Sequence, residues 1–309
     1  MDANAAARPA PMRVAVAGAS GLIGSELVRR LTGDGHTILR LVRHAPKGPG
    51  EVRWDPARGE VDAAALDGVD AVVNLAGENV GERWTGERRK RIRQSRVDAT
   101  LGLARTLAGL ARKPRVLVNA SAIGIYGERG DERVDEMSAP GSGFLAEVVR
   151  EWEAATEPAS AAGIRVVLPR FAVVLSKRGG MLAKVLTPFR LGAGGTMGSG
   201  RQWLSWVSLG DAVDVLYLSL VDDRLDGPIN VVAGAVTNDE FTRTLARVLS
   251  RPALVPVPAF ALRLAFGEMA NETILVSQRA DHRRLTQLGY SFAEPELEGA
   301  LRAALAEKD

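Results

Sequence analysis

The chain has 309 residues, no cysteine and three histidines, with 40 basic against 37 acidic side chains. The missing thiol excludes disulfides, thiolate metal sites and a cysteine nucleophile, and three histidines argue against a His-rich metal centre, so no metal is expected. Hydrophobic content of 46% and charged content of 25% are those of a globular protein of one large or two modest domains; no run approaches the roughly 18–20 apolar residues that span a bilayer.

Residues 1–11 are Ala- and Pro-rich and lack the apolar core of a secretion signal. They read as a short disordered tail on a cytoplasmic protein. Strands follow at 13–17, 37–42, 51–54, 71–75 and 115–121, and a sixth begins at 165–168 and runs on to 174. Between them the periodicity predicts helices at 20–32, 87–111 and 144–162. This alternation with short loops means a parallel sheet covered by helices on both faces. After Leu175 the texture changes. Residues 176–200 are Gly-rich, 207–220 return to an apolar strand-to-helix pattern with Asp211 as the expected cap, and 227–232 form a last strand. Asn238 is the expected cap of a helix at 239–249, with further helices near 259–269 and 296–305. The predicted fold is α/β: a doubly wound Rossmann sheet over 12–180, with 207–232 returning to it, and a smaller substrate-side C-terminal region over 181–309.

The first strand runs straight into Gly18-Ala19-Ser20-Gly21-Leu22-Ile23-Gly24. A strand, a tight glycine turn and a helix start make a dinucleotide cradle. Gly18 allows the sharp turn, Gly21 lets the backbone approach a pyrophosphate, and Gly24 permits close packing of helix on strand. Ser20, Leu22 and Ile23 open the helix, whose free N–H groups and positive dipole end face the phosphates. About 25 residues on, where an acidic residue would bind a ribose 2′-hydroxyl, stands Arg43. An arginine there suits a 2′-phosphate, hence NADP(H) rather than NAD(H).

Arg83, Arg88, Arg89, Lys90, Arg91, Arg93 and Arg96 form the one basic cluster. It lacks the interleaved aromatics that stack bases, and reads as a solvated helix face that helps attract an anionic ligand rather than as a nucleic-acid site.

The marks Gly18-x-x-Gly21-x-x-Gly24, Asn74-Leu75-Ala76-Gly77 and Ser121-x-x-x-x-Tyr126-Gly127 resemble the extended short-chain dehydrogenases/reductases, the NAD-dependent epimerase/dehydratase family. Asn74 to Glu78, Phe144-Leu145-Ala146-Glu147 with Trp152-Glu153, Gly198 to Trp203, and Val236 to Phe241 narrow the likeness to a branch with an extra C-terminal domain. Pro256 to Ala259, Gly267-Glu268 and Gln278-Arg279 complete it. The resemblance implies that Gly18, Gly21 and Gly24 line the pyrophosphate, that Asp55 meets the adenine edge, and that Leu75, Ala76 and Gly77 wall the riboses. It also implies a small-molecule substrate held by the segment after Leu175, and a two-fold interface built from helices 87–111 and 144–162.

The family's Tyr-x-x-x-Lys pair falls on Phe144 and Val148, and neither can move a proton or lower a pKa. Ser121 lies near the expected hydroxyl position, although in gapless register from Tyr126-Gly127 that slot is Ala122. Tyr126 is the candidate substitute acid/base, against packing on the cofactor wall. Glu147 could accept a proton if buried, against an exposed helix position. Glu78, Glu147, Arg201, Gln202 and Trp203 are the candidate substrate contacts, with Arg201 suited to a phosphate or carboxylate. Two functions follow: an NADP(H)-dependent epimerase- or reductase-like oxidoreductase with a non-standard catalytic set, or an NADP(H)-binding sensor, scaffold or regulator that has lost catalysis.

Overall fold

The computed structural model describes residues 10–307. The expected tail at 1–11 lies outside them except for its last two positions. The first strands are Arg13–Ala17 (β1), Thr37–Val42 (β2), Glu51–Asp55 (β3), Glu60–Val61 (β4) and Ala71–Asn74 (β5). Then come Val116–Asn119 (β6), Ser121–Ala122 (β7), Arg133–Val134 (β8), Arg165–Phe171 (β9) and Val173–Leu175 (β10). Trp203–Ser208 (β11), Gly227–Val231 (β12), Gly234–Thr237 (β13) and Arg279–Ala280 (β14) complete the set.

The large sheet runs β12-β9-β6-β5-β1-β2-β3, all parallel, with β4 antiparallel at the β3 edge. Its central strands β1, β5 and β6 are nearly continuous apolar runs because both faces are covered. The order reverses between β1 and β5, the topological switch point where a doubly wound sheet opens its ligand crevice. A second sheet, β10-β11-β13, carries part of the C-terminal half.

The major helices are Leu22–Gly33 (α1), Ala63–Leu66 (α2), Gly86–Gln94 (α3), Val97–Ala108 (α4), Phe144–Ala154 (α5) and Glu157–Ala161 (α6). They continue with Gly180–Arg190 (α7), Leu209–Val221 (α8), Asn238–Leu249 (α9), Ala259–Phe266 (α10), Arg283–Gln287 (α11) and Leu297–Ala306 (α12). One core cluster joins Val14, Val16, Leu27, Leu31, Leu216 and Ile229 to Trp206, Phe241 and Leu301, so both sheets share an interior. Among the described residues no helix is long and apolar enough to cross a membrane.

Several boundaries differ from the sequence reading, each for a local reason. The helix expected over 87–111 breaks at Ser95 and Arg96: the Ser95 hydroxyl donates to Ile92 O at 3.1 Å and accepts from Glu78 N at 2.9 Å. The helix expected over 144–162 breaks before Pro158, with Thr156 donating to Glu153 O at 2.7 Å. The sixth strand divides at Ala172 between the two sheets. The strand expected to begin at 207 starts four residues earlier, as β11, and β13 went unforeseen. The caps also shift by residues. Ser208, not Asp211, caps α8, accepting from Asp211 N at 3.0 Å. Thr237, not Asn238, caps α9, while Asn238 Oδ1 accepts from Met197 N at 2.8 Å.

Candidate active site

Glycine is required at two points of the β1–α1 turn by the chain itself. Gly18 has φ +75°, and a Cβ there would lie 2.8 Å from the Leu75 carbonyl. A Cβ on Gly24 would stand 2.1 Å from Gly18 O, so the third glycine lets α1 close onto the turn rather than onto the strand body. Gly21 differs: it is extended, at φ −74°, and its Cβ would meet only Gly18 O at 3.3 Å. It is the N-cap of α1 without a side-chain cap. The N–H groups of Leu22, Ile23 and Gly24 therefore have no partner within the helix and form an anion-binding end. The side chains of Leu22 and Ile23 pack back on the core.

The wall opposite is positioned by a buried amide network. Asn74 Nδ2 donates to Thr100 Oγ1 at 3.0 Å and to Asn119 Oδ1 at 2.7 Å, while its Oδ1 accepts from Ala76 N at 3.2 Å. Trp152 Nε1 donates to the same Thr100 hydroxyl at 2.9 Å. Leu75 N is tied to Ala17 O at 3.0 Å, which sets the wall one strand from the turn. Behind Gly77 lies the Arg96 guanidinium, 5.3 Å over the Trp152 ring and donating to Glu78 O at 3.0 Å. Burial pulls its pKa down to about 10, offset in part by the Glu78 charge.

Arg43 stands exposed just past β2. Beside it, also exposed, is Arg53 on β3, which donates to the Arg43 carbonyl. Two exposed cations therefore lie side by side at the β2–β3 edge of the sheet. Asp55 lies at the end of β3, with Oδ1 accepting from Ala57 N at 3.1 Å in its own turn.

The positions of the missing Tyr/Lys pair are filled, not vacant. Phe144 and Val148 are buried with Trp84, Ile92 and Met269, and the Phe144 ring meets Trp84 edge-on at 5.1 Å. The Glu272 carboxylate accepts from Phe144 N at 3.0 Å and Leu145 N at 3.1 Å, capping α5 from the C-terminal region.

Ser121 and Tyr126 come together, but in the interior. Ser121 donates to Glu153, and Arg170 grips Glu153 through two bonds of 2.8 Å. Arg170 Nη1 donates to the Tyr126 hydroxyl at 3.1 Å, which itself donates to Asn230 Oδ1 at 2.8 Å. Burial opposes the Arg170 charge, but Glu153 outweighs it and holds the guanidinium above its ordinary pKa. Burial raises the Tyr126 pKa. Tyr126 is 0% and Ser121 3% exposed, and both hydroxyls are hydrogen-bonded within this buried network.

The substrate-side candidates scatter. Glu147 is exposed on α5, the solvated helix position rather than the buried one. Gln202 is spent, with Nε2 donating to Met197 O at 2.9 Å and Ile274 O at 3.4 Å. Trp203 Nε1 donates to Asp131 Oδ1 at 2.8 Å, and its ring lies under Arg279. Glu78 faces Arg88 and Arg91 at 3.7 and 3.8 Å. Arg201 is exposed beside the Ser199 turn.

The basic cluster is mostly neutralised within the chain. Arg88 pairs with Glu82 at 2.9 Å, Arg89 with Glu268 at 2.9 Å, Arg91 with Glu87 at 2.9 Å, and Arg93 with Glu151. Arg83 donates to Leu264 O at 2.9 Å. Sequence reasoning missed Arg53, Glu272 and the Glu153–Arg170–Asn230 set. Only Arg53 carried a signal, since it lies one strand from Arg43; the others depend on pairings over long sequence separations.

Comparison with known proteins agrees with this layout. The profile described as NAD dependent epimerase/dehydratase family matches residues 14–234. A second, described as a domain of unknown function (DUF1731), matches residues 257–304. The chain is 46% identical over 283 residues to the epimerase family protein Mb2239 of Mycobacterium bovis, covering 90% of this chain and 93% of that one. It is similar to the crystal structure of human epimerase family protein SDR39U1 with NADPH, with TM-score 0.88, 34% identity, and coverage of 96% and 100%. It is also similar to a nucleoside-diphosphate sugar epimerase from Corynebacterium glutamicum, with TM-score 0.78, 37% identity, and coverage of 95% of this chain and 59% of that one.

Proposed function

The chain belongs to the NAD dependent epimerase/dehydratase family, and we propose that this member is an NADP(H)-binding, epimerase- or reductase-like oxidoreductase that works without a Tyr-x-x-x-Lys pair. The observation that carries the cofactor is the β1–α1 turn: Gly21 has an extended backbone that does not itself call for glycine, and it lies where a pyrophosphate would approach. The similar human protein was crystallised with NADPH, which supports the same class of ligand here. The bound nicotinamide would supply hydride transfer. The chain's own residues would do three things: α1 N–H groups hold the pyrophosphate, Arg43 and Arg53 take the 2′-phosphate, and Leu75 to Gly77 keep water from the riboses. Asp55 would border the adenine, and Arg201 and Glu78 remain the candidates for an anionic or hydroxylated small substrate.

A second reading, an NADP(H)-binding protein without catalysis, is favoured by one observation. The positions that should move the proton are packed as apolar core, and Tyr126 is sealed from solvent.

The test is a fluorescence titration of NADPH and NADH against wild type and Arg43→Ala. NADPH should bind roughly ten- to a hundred-fold more tightly, the worth of one charge-assisted contact of about 1.5–3 kcal/mol, and the variant should lose most of that preference. Equal affinities in the wild type sink the cofactor assignment.

A further inference from the structure

We propose that Arg133 and Arg279 form a binding site for a small phosphate monoester dianion, separate from the glycine cradle. The two residues are direct cross-strand partners in the parallel pair β8–β14. The residues that follow them, Val134 and Ala280, are buried at 1% and 6% exposure. Strand alternation therefore turns both arginines outward on one face. Like charges placed opposite each other on a sheet repel. Here nothing in the protein neutralises them: among the described residues neither guanidinium makes a hydrogen bond or ion pair.

That is not for want of acids nearby in sequence. Asp131 accepts from Trp203 Nε1, Glu132 faces Arg129 at 3.3 Å, and Asp135 pairs with Arg283 at 3.2 Å. Glu136 is buried, accepting from Asn230 N at 3.0 Å. These four carboxylates, the ones nearest Arg133 in sequence, are all engaged by other groups. Arg279 is also held in place, its guanidinium 3.9 Å over the Trp203 ring, whose indole N–H is anchored by Asp131. Stacking occupies the π-face of a guanidinium and leaves its in-plane N–H edge open to a ligand.

The arginines border a cavity of about 220 Å³, completed by Gly234, Ala235, Asp281 and His282. That is below the roughly 300–1,000 Å³ of pockets for drug-sized ligands, which limits the guest to a small group. Two neighbouring positive charges with forked donors, one of them held on the Trp203 ring, match a phosphate monoester, which carries about −1.5 to −2 at pH 7, better than a monocarboxylate. Asp281 opposes an anion from the rim, but its Oδ1 is engaged by His282 N at 2.8 Å. None of the lining residues belongs to the β1–α1 turn or to the Leu75–Gly77 wall.

The experiment titrates inorganic phosphate into the full chain at constant ionic strength, balanced with sodium chloride, and reads heat and thermal midpoint. Since the cradle also favours phosphate, the proteins are compared with and without Gly21→Val. The expected result is saturable binding that survives Gly21→Val, weakens about ten-fold or more in Arg133→Gln or Arg279→Gln, and is absent in the double variant. Acetate should not compete. Phosphate behaving like chloride, binding unchanged in the double variant, or binding lost with Gly21→Val alone would each overturn the proposal. Should the glutamine variants fold poorly, Arg133→Lys and Arg279→Lys keep the charge and remove only the fork. Undiminished phosphate affinity in those folded variants counts against the site.

Discussion

Replacing Gly21 with valine should abolish dinucleotide binding and leave the fold standing. The three glycines of the turn are not equivalent. Gly18 needs its positive φ, and a Cβ on Gly24 would lie 2.1 Å from Gly18 O, so substitution at either damages the turn itself. Gly21 sits at φ −74° and ψ 172°, open to any L-residue, with one 3.3 Å contact for an added Cβ. A valine in place of glycine at an N-cap costs about 1 kcal/mol, offset in part by ~0.4–1 kcal/mol from a stiffer unfolded chain. Against a total stability of about 5–15 kcal/mol, the protein stays folded. Binding suffers differently. Side-chain methyls at Gly21 would hold a pyrophosphate away from the α1 N–H groups. Two lost charge-assisted bonds of about 1.5–3 kcal/mol each amount to ~3–6 kcal/mol, roughly 10²–10⁴ in affinity. NADPH titration by fluorescence, with thermal unfolding of the same samples, reads both quantities. A folded Gly21→Val that binds NADPH like wild type refutes the cradle. Gly24→Ala serves as the contrast and should lose stability first.

Tyr126→Phe should lower stability by about 1–3 kcal/mol in chemical denaturation, because Arg170 and Asn230 each lose a buried partner; unchanged stability would mean the network is slack. Phe144→Tyr with Val148→Lys should not restore family chemistry but destabilise by several kcal/mol, since Val148 is 0% exposed and packs among apolar side chains. A stable double variant with new carbonyl reductase activity would reverse that expectation. His36 is buried, with Nδ1 accepting from Met12 N at 3.0 Å, and burial lowers its pKa below the ordinary 6.5. Its neutral form is the folded form, so its contribution is full above the unfolded value of 6.5 and is lost as pH falls from there through the lowered folded value. His36→Asn should flatten that part of the stability–pH curve; identical slopes in both proteins would exclude it.

The parallel sheet and the glycine turn after β1 were legible because they rest on local signals. Apolar runs, a turn that only glycine permits and helical periodicity all act within a dozen residues. The failures cluster where tertiary partners decide. A single 87–111 helix was a fair reading of periodicity, but Ser95 and Arg96 leave the helix to serve Glu78 and the cofactor wall. β13 carries Gly234, which sequence patterns treat as a breaker; a Cβ there would lie 3.1 Å from the Trp206 indole, so the glycine is a packing requirement in a real strand. Tyr126 looked like an acid/base because it follows β6, yet its neighbours Arg170 and Asn230 lie 44 and 104 residues away in sequence. No spacing rule reaches that far.

The region of the missing pair tells loss of a site from its reuse. A tyrosine and a lysine removed without compensation would leave a cavity or orphaned polar groups, each costing stability. Here apolar side chains occupy both positions. The Phe144 ring lies edge-on to Trp84 and beneath Arg89 at 4.4 Å, and Val148 closes the same cluster. Arg89 in turn pairs with Glu268, next to Met269 in that cluster, and Glu272 caps α5. These contacts tie α3, α5 and the segment after α10 into one unit, so the C-terminal region is anchored on the surface where the family's proton chemistry usually sits. The apolar pair is therefore part of what holds the two halves together. Neither Phe144 nor Val148 can carry a proton, so α5 presents apolar packing at the two positions where the family's pair falls.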